Sequence, residues 1–288
     1  HLDVVLGKNK QFMPYIEDGR LYGRGSADMK SGAAAMLSTI LKLKNKSLTC
    51  QVQLQLVTDE ETGGFNCSKY LADNGFVGDF VICGEPTQLE IGIQAKGILQ
   101  IYLEFIGKSA HGSRPWQGDN AIVKAYEAYK TITSLPFTKE KSEFYSCPSV
   151  NLSKIEGGDV YNKVPDYCKM YLDIRFLPEQ DPKEIIRQIK ESAGVEVNVH
   201  SRGDAVKTKI DDMNVKKLKK SISRITNGKS EIFGQHGSAD TRFYSKYNVP
   251  SVEFGPIGKN WHGDDEFVII DSVYLYEQIL MDFIKNNQ

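Results

Sequence analysis

The sequence predicts an α/β fold: a mostly parallel β-sheet with helices on both faces, into which a smaller α+β domain is inserted. Three short strand candidates, residues 50–57, 80–83 and 249–254, are separated by helical segments, as in chains that form parallel sheets. The middle of the chain differs, because its strand candidates are longer and amphipathic. Two different sheet architectures are therefore expected within one chain.

Hydrophobic periodicity defines the elements of the terminal regions. Residues 50–57 alternate polar and apolar side chains with a period of two, which is typical of a half-buried strand. Residues 80–83 are uniformly apolar. Helical segments are predicted at 29–44, 67–74 and 272–284, the last with apolar residues at helical spacing. In parallel sheets covered by helices, ligands bind beyond the carboxyl ends of the strands.

The middle of the chain is predicted to form a ferredoxin-like unit. Its elements follow the order strand, helix, strand, strand, helix, strand, which is typical of that arrangement. The predicted strands are 97–106, 149–155, 167–176 and 195–200, and the predicted helices are 120–133 and 182–192. The sequence thus predicts an inserted domain over 94–206 and a discontinuous domain formed by 1–93 and 207–288.

Composition excludes several classes of protein. The 288 residues are 40% hydrophobic and 25% charged, which is ordinary for a globular chain, and the formal charge of −1 argues against a nucleic-acid partner. No apolar stretch approaches the roughly 20 residues of a membrane span, and no signal peptide is visible. The scattered cysteines predict reduced thiols, so we expect a cytoplasmic protein without membrane or nucleic-acid partners. The chain begins at His1 without an initiator Met, which predicts that an N-terminal part of the first domain is missing.

Carboxylates and imidazoles follow the predicted strands of the terminal regions. Each residue has an ordinary interpretation by itself: Asp28 as a helix cap, the acids as solvated loop residues, and His262 as a surface group. Together they indicate two divalent metal ions, because clustered carboxylates require positive charge among them. The group comprises His1, Asp3, Asp28, Glu60, Glu61, Glu85 and His262.

The surrounding motifs resemble the signature blocks of the M20 family of metallopeptidases and deacylases. These blocks are His1-x-Asp3, Gly-Arg-Gly-x-x-Asp28-Met-Lys, Asp-Glu60-Glu61, Gly-Glu85-Pro-Thr and His262. The resemblance implies a zinc-exopeptidase-like sheet with an inserted lid or dimerisation domain, and hydrolysis as the chemistry. It covers essentially the whole chain.

The resemblance also implies roles for these residues. Asp28 bridges the two metals, His1 and Glu85 complete one metal site, and Glu61 and His262 complete the other. Glu60 is the general base for a metal-activated water, and Asp3 orients His1. Zinc fits this nitrogen and oxygen ligand set, although cobalt or manganese fits as well.

In the inserted domain, further positions match family residues that contact substrate. His111 corresponds to the histidine that stabilises the oxyanion, often across a dimer, and Asn162 lies in the Asn-x-hydrophobic-Pro block. Arg175 is suited to grip a substrate carboxylate, and Lys96 replaces an arginine. In the terminal region, Gly255 is expected to let the backbone approach the substrate. The resemblance predicts a homodimer through the inserted domain.

The third acidic block narrows the predicted reaction, because Glu85 rather than Asp favours the deacylase side of the family. The blocks around Asp240 and Phe254 are similar to those of succinyl-diaminopimelate desuccinylases. The sequence therefore predicts removal of a succinyl or acetyl group from an N-acylated amino acid, as in amino-acid biosynthesis. A dipeptidase or aminopeptidase on the same scaffold, or a noncatalytic binding protein of this fold, remain the alternatives.

Overall fold

The fold was analysed in a computed structural model, which describes residues 1–286. The chain divides into two compact units, here called the first unit and the inserted unit. The first unit comprises residues 1–95 and the described part of 206–288, and the inserted unit comprises residues 96–205.

The strands are short in the first unit and longer in the inserted unit. The helices are α1 (Ser31–Leu43), α2 (Ser68–Asp73), α3 (Ala121–Ile132), α4 (Pro182–Ala193), α5 (Met213–Thr226), α6 (Thr241–Ser245) and α7 (Ile270–Lys285). The strands are β1 (Tyr15–Glu17), β2 (Arg20–Tyr22), β3 (Val81–Cys83), β4 (Ile91–Ala95), β5 (Gly97–Ile106), β6 (Ser149–Gly157), β7 (Tyr167–Phe176), β8 (Val197–Gly203), β9 (Val206–Lys207), β10 (Ile232–Gln235), β11 (Ser251–Glu253), β12 (Gly258–Lys259) and β13 (Phe267–Ile269).

The first unit contains two sheets of mixed character, so the prediction of a mostly parallel sheet was wrong. In the sheet β10-β4-β11-β3, the outer pairs are parallel, whereas β4 runs antiparallel to both β11 and β9. The second sheet, β1-β2-β13-β12, is antiparallel throughout. The parallel pair of β3 and β11 joins two strands that the sequence predicted, at 80–83 and 249–254. The strands β10 and β4 were not predicted, and alternation of strands and helices does not specify the direction of β4, which leads into the inserted unit.

The strand predicted at residues 50–57 is also absent from the described structure. The segment joins no ladder, and its backbone contact is a 2.8 Å hydrogen bond from the Leu2 amide to the Val57 carbonyl. Alternating side chains predict which face of a strand is buried, but they carry no information about a ladder partner.

The first unit is held together by apolar helix faces. Leu43 of α1, Leu218 and Ile222 of α5, and Ile279 and Phe283 of α7 are all buried. α1 and α7 correspond to the helical segments predicted at 29–44 and 272–284, whereas α5 was not among the predicted elements. None of the described helices is long and apolar enough to cross a membrane.

The inserted unit is an antiparallel sheet of order β6-β7-β5-β8 with two helices. Its elements follow each other as strand, helix, strand, strand, helix, strand. Alternate residues of β5 and β7 are buried against α3 and α4, which explains the period of two in both strands. The largest buried side chains include Leu99, Ile101, Leu103, Met170, Leu172 and Ile174.

Candidate metal centre

Tight turns and loop ends of the first unit carry the predicted ligands. Asp28 lies in an irregular helical turn, Ser26–Lys30, that leads into α1. Glu60 and Glu61 form a short 3-10 turn, Glu85 follows β3, and His262 lies between β12 and β13. None of these side chains lies on a long regular element, so the contacts between their loops determine the site.

Two glycines allow the loops to approach each other. A Cβ atom on Gly32, in the first turn of α1, would lie only 2.2 Å from the Gly84 carbonyl oxygen. A Cβ atom on Gly255 would lie 2.3 Å from the carbonyl oxygen of Glu85. The start of α1, directly after the turn of Asp28, therefore packs on the Gly84 carbonyl, and the loop after β11 packs on the backbone of Glu85. The sequence assigned Gly255 to the substrate, and in this structure its backbone contacts that of a predicted ligand.

Asp28 shares its carboxylate between two imidazoles. Its Oδ1 atom lies 3.0 Å from Nε2 of His1, and its Oδ2 atom lies 3.2 Å from Nε2 of His262. Glu85 lies 3.9 Å from Nε2 of His1, and Glu61 lies 3.1 Å from Nε2 of His262. The structure thus forms two groups, His1–Asp28–Glu85 and Asp28–Glu61–His262, in each of which the donor atoms lie within 4.8 Å of one another.

The donor set of each group fits a divalent transition metal. Each group offers one imidazole nitrogen and two carboxylates, which is a common mixed set for zinc. The carboxylates offset the charge of a bound cation, and the shared Asp28 places the two positions next to each other. The backbone of His262 adopts φ 63°, a left-handed conformation that is unfavourable for a non-glycine residue. Such conformations persist where the surrounding structure enforces them, frequently at functional sites.

Burial and mutual repulsion shift the pKa values of the clustered groups. Burial would lower the pKa of His1, but the hydrogen bond to Asp28 and the charges of Glu85 and Glu60 raise it to about 10. Burial, followed by the charge of Asp28, raises the pKa of Glu85 well above its ordinary range. The same two causes raise the pKa of Glu61. Ionising these acids together is unfavourable, so a cation among them would stabilise the charged forms.

Glu60 faces the same cluster without belonging to either group. Its Oε2 atom lies 3.9 Å from Nε2 of His1. Burial, followed by the charge of Asp240, raises the pKa of Glu60 to about 7. A carboxyl with this pKa can both accept and release a proton near neutral pH.

Asp3 connects the His1 ring to the turn of the acidic pair. The Nδ1 atom of His1 lies 3.3 Å from Oδ1 of Asp3 and 3.1 Å from its carbonyl oxygen. The other carboxylate oxygen of Asp3 accepts a 3.0 Å hydrogen bond from the Glu61 amide. One side chain therefore orients an imidazole and fixes the backbone of a neighbouring ligand.

Several residues near the acidic pair were not predicted from the sequence. A Cβ atom on Gly64 would lie 2.2 Å from Oδ1 of Asp240, and Asp240 accepts a 2.5 Å hydrogen bond from Ser68. Arg242 donates a 2.7 Å hydrogen bond to the Gly63 carbonyl. Asp240 and Arg242 were noticed only as part of a family block, and their contacts with the acidic turn carried no signal in the sequence.

The remaining predicted residues belong to the inserted unit, where His111 and Asn162 are neighbours. The Gly112 amide donates a 2.7 Å hydrogen bond to the Asn162 carbonyl, and Nδ1 of His111 lies 2.8 Å from the hydroxyl of Ser113. His111 and Lys163 form an isolated β-bridge. The backbone thus places the side chains of two distant motifs on adjacent segments.

The two basic residues of the inserted unit that were predicted to contact substrate, Arg175 and Lys96, already have protein partners. Arg175 forms hydrogen bonds of 2.7 and 3.1 Å with the carboxylate of Asp173. Lys96 is buried, donates a 2.7 Å hydrogen bond to the Cys147 carbonyl and lies 5.4 Å from the centre of the Tyr145 ring. Burial lowers the pKa of Lys96. Both cations are therefore held in place by their neighbours.

The sequence matches a known family over all of the residues that the structure describes. Residues 1–286 match the family described as peptidase family M20/M25/M40. The chain belongs to this family. It is therefore an M20 metallohydrolase, and enzymes of this family act on small peptides or acylated amino acids.

Curated relatives and solved structures extend the likeness over most of the chain. A succinyl-diaminopimelate desuccinylase of Wolbachia pipientis is 28% identical over 309 residues, covering 99% of this chain and 77% of the relative. One from Pelagibacter ubique is 27% identical over 313 residues, covering 99% of this chain and 81% of the relative. A tripeptidase structure from Staphylococcus aureus, 24% identical, matches with a TM-score of 0.78 over 95% of this chain and 75% of its own. An aminopeptidase structure from Bacillus cereus, 21% identical, matches with a TM-score of 0.77 over 94% of this chain and 75% of its own. The structural likeness shows the shared mixed α/β fold.

Proposed function

We propose that this protein is a metal-dependent amidohydrolase that removes an acyl group, succinyl or acetyl, from an N-acylated amino acid. The observation that carries the proposal is the position of Asp28, whose two oxygens face two different imidazoles at 3.0 and 3.2 Å. The acyl specificity is supported by curated relatives at 28% and 27% identity that are named succinyl-diaminopimelate desuccinylases. The proposal therefore combines a geometric argument for the centre with a family argument for the substrate.

The residues His1, Asp28 and Glu85 would hold one divalent cation, and Asp28, Glu61 and His262 would hold the other. Zinc suits this set, and cobalt or manganese are the other candidates. Two such cations polarise a carbonyl, lower the pKa of a water molecule and stabilise developing oxyanion charge. The donors of the chain determine where these effects act, because each group includes one oxygen of Asp28.

Glu60 is proposed as the general base. Its carboxyl faces the His1–Asp28–Glu85 group, and in the metal-free protein burial and the charge of Asp240 raise its pKa to about 7, so it exchanges a proton readily near neutral pH. Glu60 would accept a proton from the attacking water and return it to the leaving amine. Asp3 would orient His1 through Nδ1.

For the inserted unit we propose a ferredoxin-like lid that also forms a homodimer. His111 would stabilise the oxyanion, and Asn162, Arg175 and Lys96 would contact the substrate. In the first unit, Gly255 would let the backbone approach the substrate closely. A cytoplasmic location and a role in amino-acid biosynthesis belong to the same proposal. Size-exclusion chromatography with light scattering tests the dimer.

A substrate panel with excess zinc tests the function. Succinyl- and acetyl-amino acids are compared with dipeptides, using the wild-type chain and Glu60→Gln. We expect turnover of an acylated amino acid by the wild type, and a loss of about 10²- to 10⁴-fold in Glu60→Gln with zinc still bound. If only dipeptides were hydrolysed, the protein would be a peptidase and not a deacylase. A wild type that binds zinc but turns over neither class would indicate a noncatalytic protein of this fold.

A further inference from the structure

The loop that carries His262 contains a buried acid, Glu266, that the proposed chemistry does not use. Glu266 is 2% exposed, and burial of an unpaired carboxylate would be strongly unfavourable. It lies four residues after His262 and directly before β13. Its partners therefore reveal what this buried charge contributes to the molecule.

Both oxygens of Glu266 face the turn that carries Asp28. Oε1 accepts hydrogen bonds from the amides of Ala27 and Asp28 at 3.0 and 3.1 Å. Oε2 accepts hydrogen bonds from the Gly25 amide at 3.0 Å and from the Arg24 guanidinium at 2.6 Å. Three amides of one turn thus converge on a single carboxylate, which fixes the backbone of Asp28.

Strand pairing brings the two segments together. β2 and β13 are antiparallel, with Tyr22 opposite Phe267, so the end of β2 lies beside the start of β13. The turn after β2 carries Asp28, and the loop before β13 carries His262. The Gly23 amide donates a 3.1 Å hydrogen bond to the Glu266 carbonyl, which continues the pairing into the loops.

Arg24 connects the same two segments from the other direction. Its Nη1 atom donates to Glu266, and its Nη2 atom donates a 2.9 Å hydrogen bond to the Gly263 carbonyl, next to His262. Arg24 is itself buried, so the pair forms in a region that excludes water. Such charge-assisted, geometrically defined hydrogen bonds are stronger than those between neutral groups.

We infer that Glu266, together with Arg24, is a positioning residue that sets the distance between Asp28 and His262 and so creates the shared metal position. The inference rests on the proposed dinuclear centre. Glu266 contacts the backbone of one ligand turn and, through Arg24, the backbone beside the other ligand. It needs no contact with a metal or a substrate to control where both ligand side chains lie.

The experiment is a calorimetric titration of zinc into the metal-free full chain, comparing wild type with Glu266→Gln. A glutamine keeps one acceptor oxygen, but its NH₂ group would face two donors. We expect about 10- to 100-fold weaker zinc binding at the Asp28–Glu61–His262 group, as is typical when a residue supporting a metal ligand is lost. Glu266→Asp, which keeps the charge, should recover part of the affinity. The matched control is Glu277→Gln, a buried acid paired with Lys42, which should bind zinc like the wild type.

The possible outcomes separate this inference from the proposed function. If the wild type does not bind two zinc ions, the dinuclear centre fails. If the wild type binds two and Glu266→Gln binds both with unchanged affinity, the inference is overturned, whatever happens to its melting temperature. If Glu266→Gln does not fold, Arg24→Lys is tested instead. A lysine ammonium cannot donate hydrogen bonds to both Glu266 and the Gly263 carbonyl with the geometry of the arginine guanidinium. Weakened zinc binding by Arg24→Lys supports the inference, and unchanged affinity overturns it.

Discussion

Two buried acids of the first unit, Glu266 and Glu85, have opposite surroundings. Glu266 receives hydrogen bonds from Arg24 and from three backbone amides. Glu85 instead faces Asp28 and Glu60, whose charges raise its pKa in addition to burial. The protein thus neutralises one acid with four donors, whereas the other lies among like charges with His1 as its nearest cationic group. The comparison separates an acid that organises the backbone from acids arranged around a cation.

Removing the shared carboxylate should break this arrangement most severely. Asp28→Asn keeps the size of the side chain but deprives both groups of a charged ligand. We expect loss of zinc from both positions and turnover reduced by about 10³-fold or more. The bound cations would stabilise the transition state by several kcal/mol, and about 1.4 kcal/mol corresponds to a factor of ten in rate. Metal analysis after dialysis and steady-state kinetics measure both effects.

Glu277→Gln is the control for Asp28→Asn, because it also neutralises a largely buried acid in the same unit. It should retain zinc and activity. Two zinc ions bound by Asp28→Asn with wild-type affinity would contradict the shared role of this residue.

Gly32→Ala tests the close packing that brings Asp28 towards Glu85. The new Cβ atom would lie 2.2 Å from the Gly84 carbonyl oxygen, so the backbone must shift. We expect unfolding free energy to fall by about 1–3 kcal/mol, as is typical of overpacking, and zinc affinity to fall with it. Urea unfolding of the metal-free protein and zinc titration provide the two measurements.

The matched control for Gly32→Ala is Gly237→Ala, since a Cβ atom there meets nothing within 4 Å. Its unfolding free energy should change by no more than about 0.5 kcal/mol. If Gly32→Ala were as stable as this control and bound zinc normally, the close contact would not determine the site.

The outcome for residues 28, 60, 61 and 85 shows what the sequence can predict. Acids after short apolar segments indicated a common location, and the structure does bring Asp28, Glu61 and Glu85 into two groups with the imidazoles. Glu266 could not be predicted in this way. Its role depends on the pairing of β2 with β13, which joins residues more than 200 positions apart. Local patterns predict elements, whereas the contacts between loops depend on the tertiary structure.

The sheet predictions failed for a similar physical reason. Periodicity predicted the amphipathic strands at 97–106 and 167–176, which are β5 and β7, because the burial of alternate residues determines that pattern. The direction of β4 and the absence of a ladder at residues 50–57 depend on which backbone segments meet. Side-chain alternation does not encode strand partners.

Proton release should accompany zinc binding, because ligands must be deprotonated. In the metal-free protein the pKa of His1 is raised to about 10, so its imidazole is protonated at pH 8. Zinc requires the neutral ring, and its affinity should therefore rise about tenfold per pH unit up to about pH 10. Titration at pH 8 in two buffers of different ionisation enthalpy measures the released protons. His200→Gln, outside both groups, should release the same number, and a wild type that released none would contradict the raised pKa of His1.

The smallest effect on stability is expected for Lys42→Met, which removes a solvated lysine from its pair with the buried acid Glu277. Lys42 lies 2.7 Å from Glu277, but the lysine side chain is 53% exposed. Burial opposes the ionised form of Glu277, yet the bond from Lys42 helps to lower its pKa below the ordinary value. The stabilisation is therefore present above the ordinary pKa and is lost as the pH falls through the lowered one. Lys42→Met should cost no more than about 1 kcal/mol of unfolding free energy at pH 7 and leave zinc affinity unchanged. A loss of zinc affinity comparable with that of Glu266→Gln would mean that acid burial in general, rather than donors converging on the Asp28 turn, governs the metal centre.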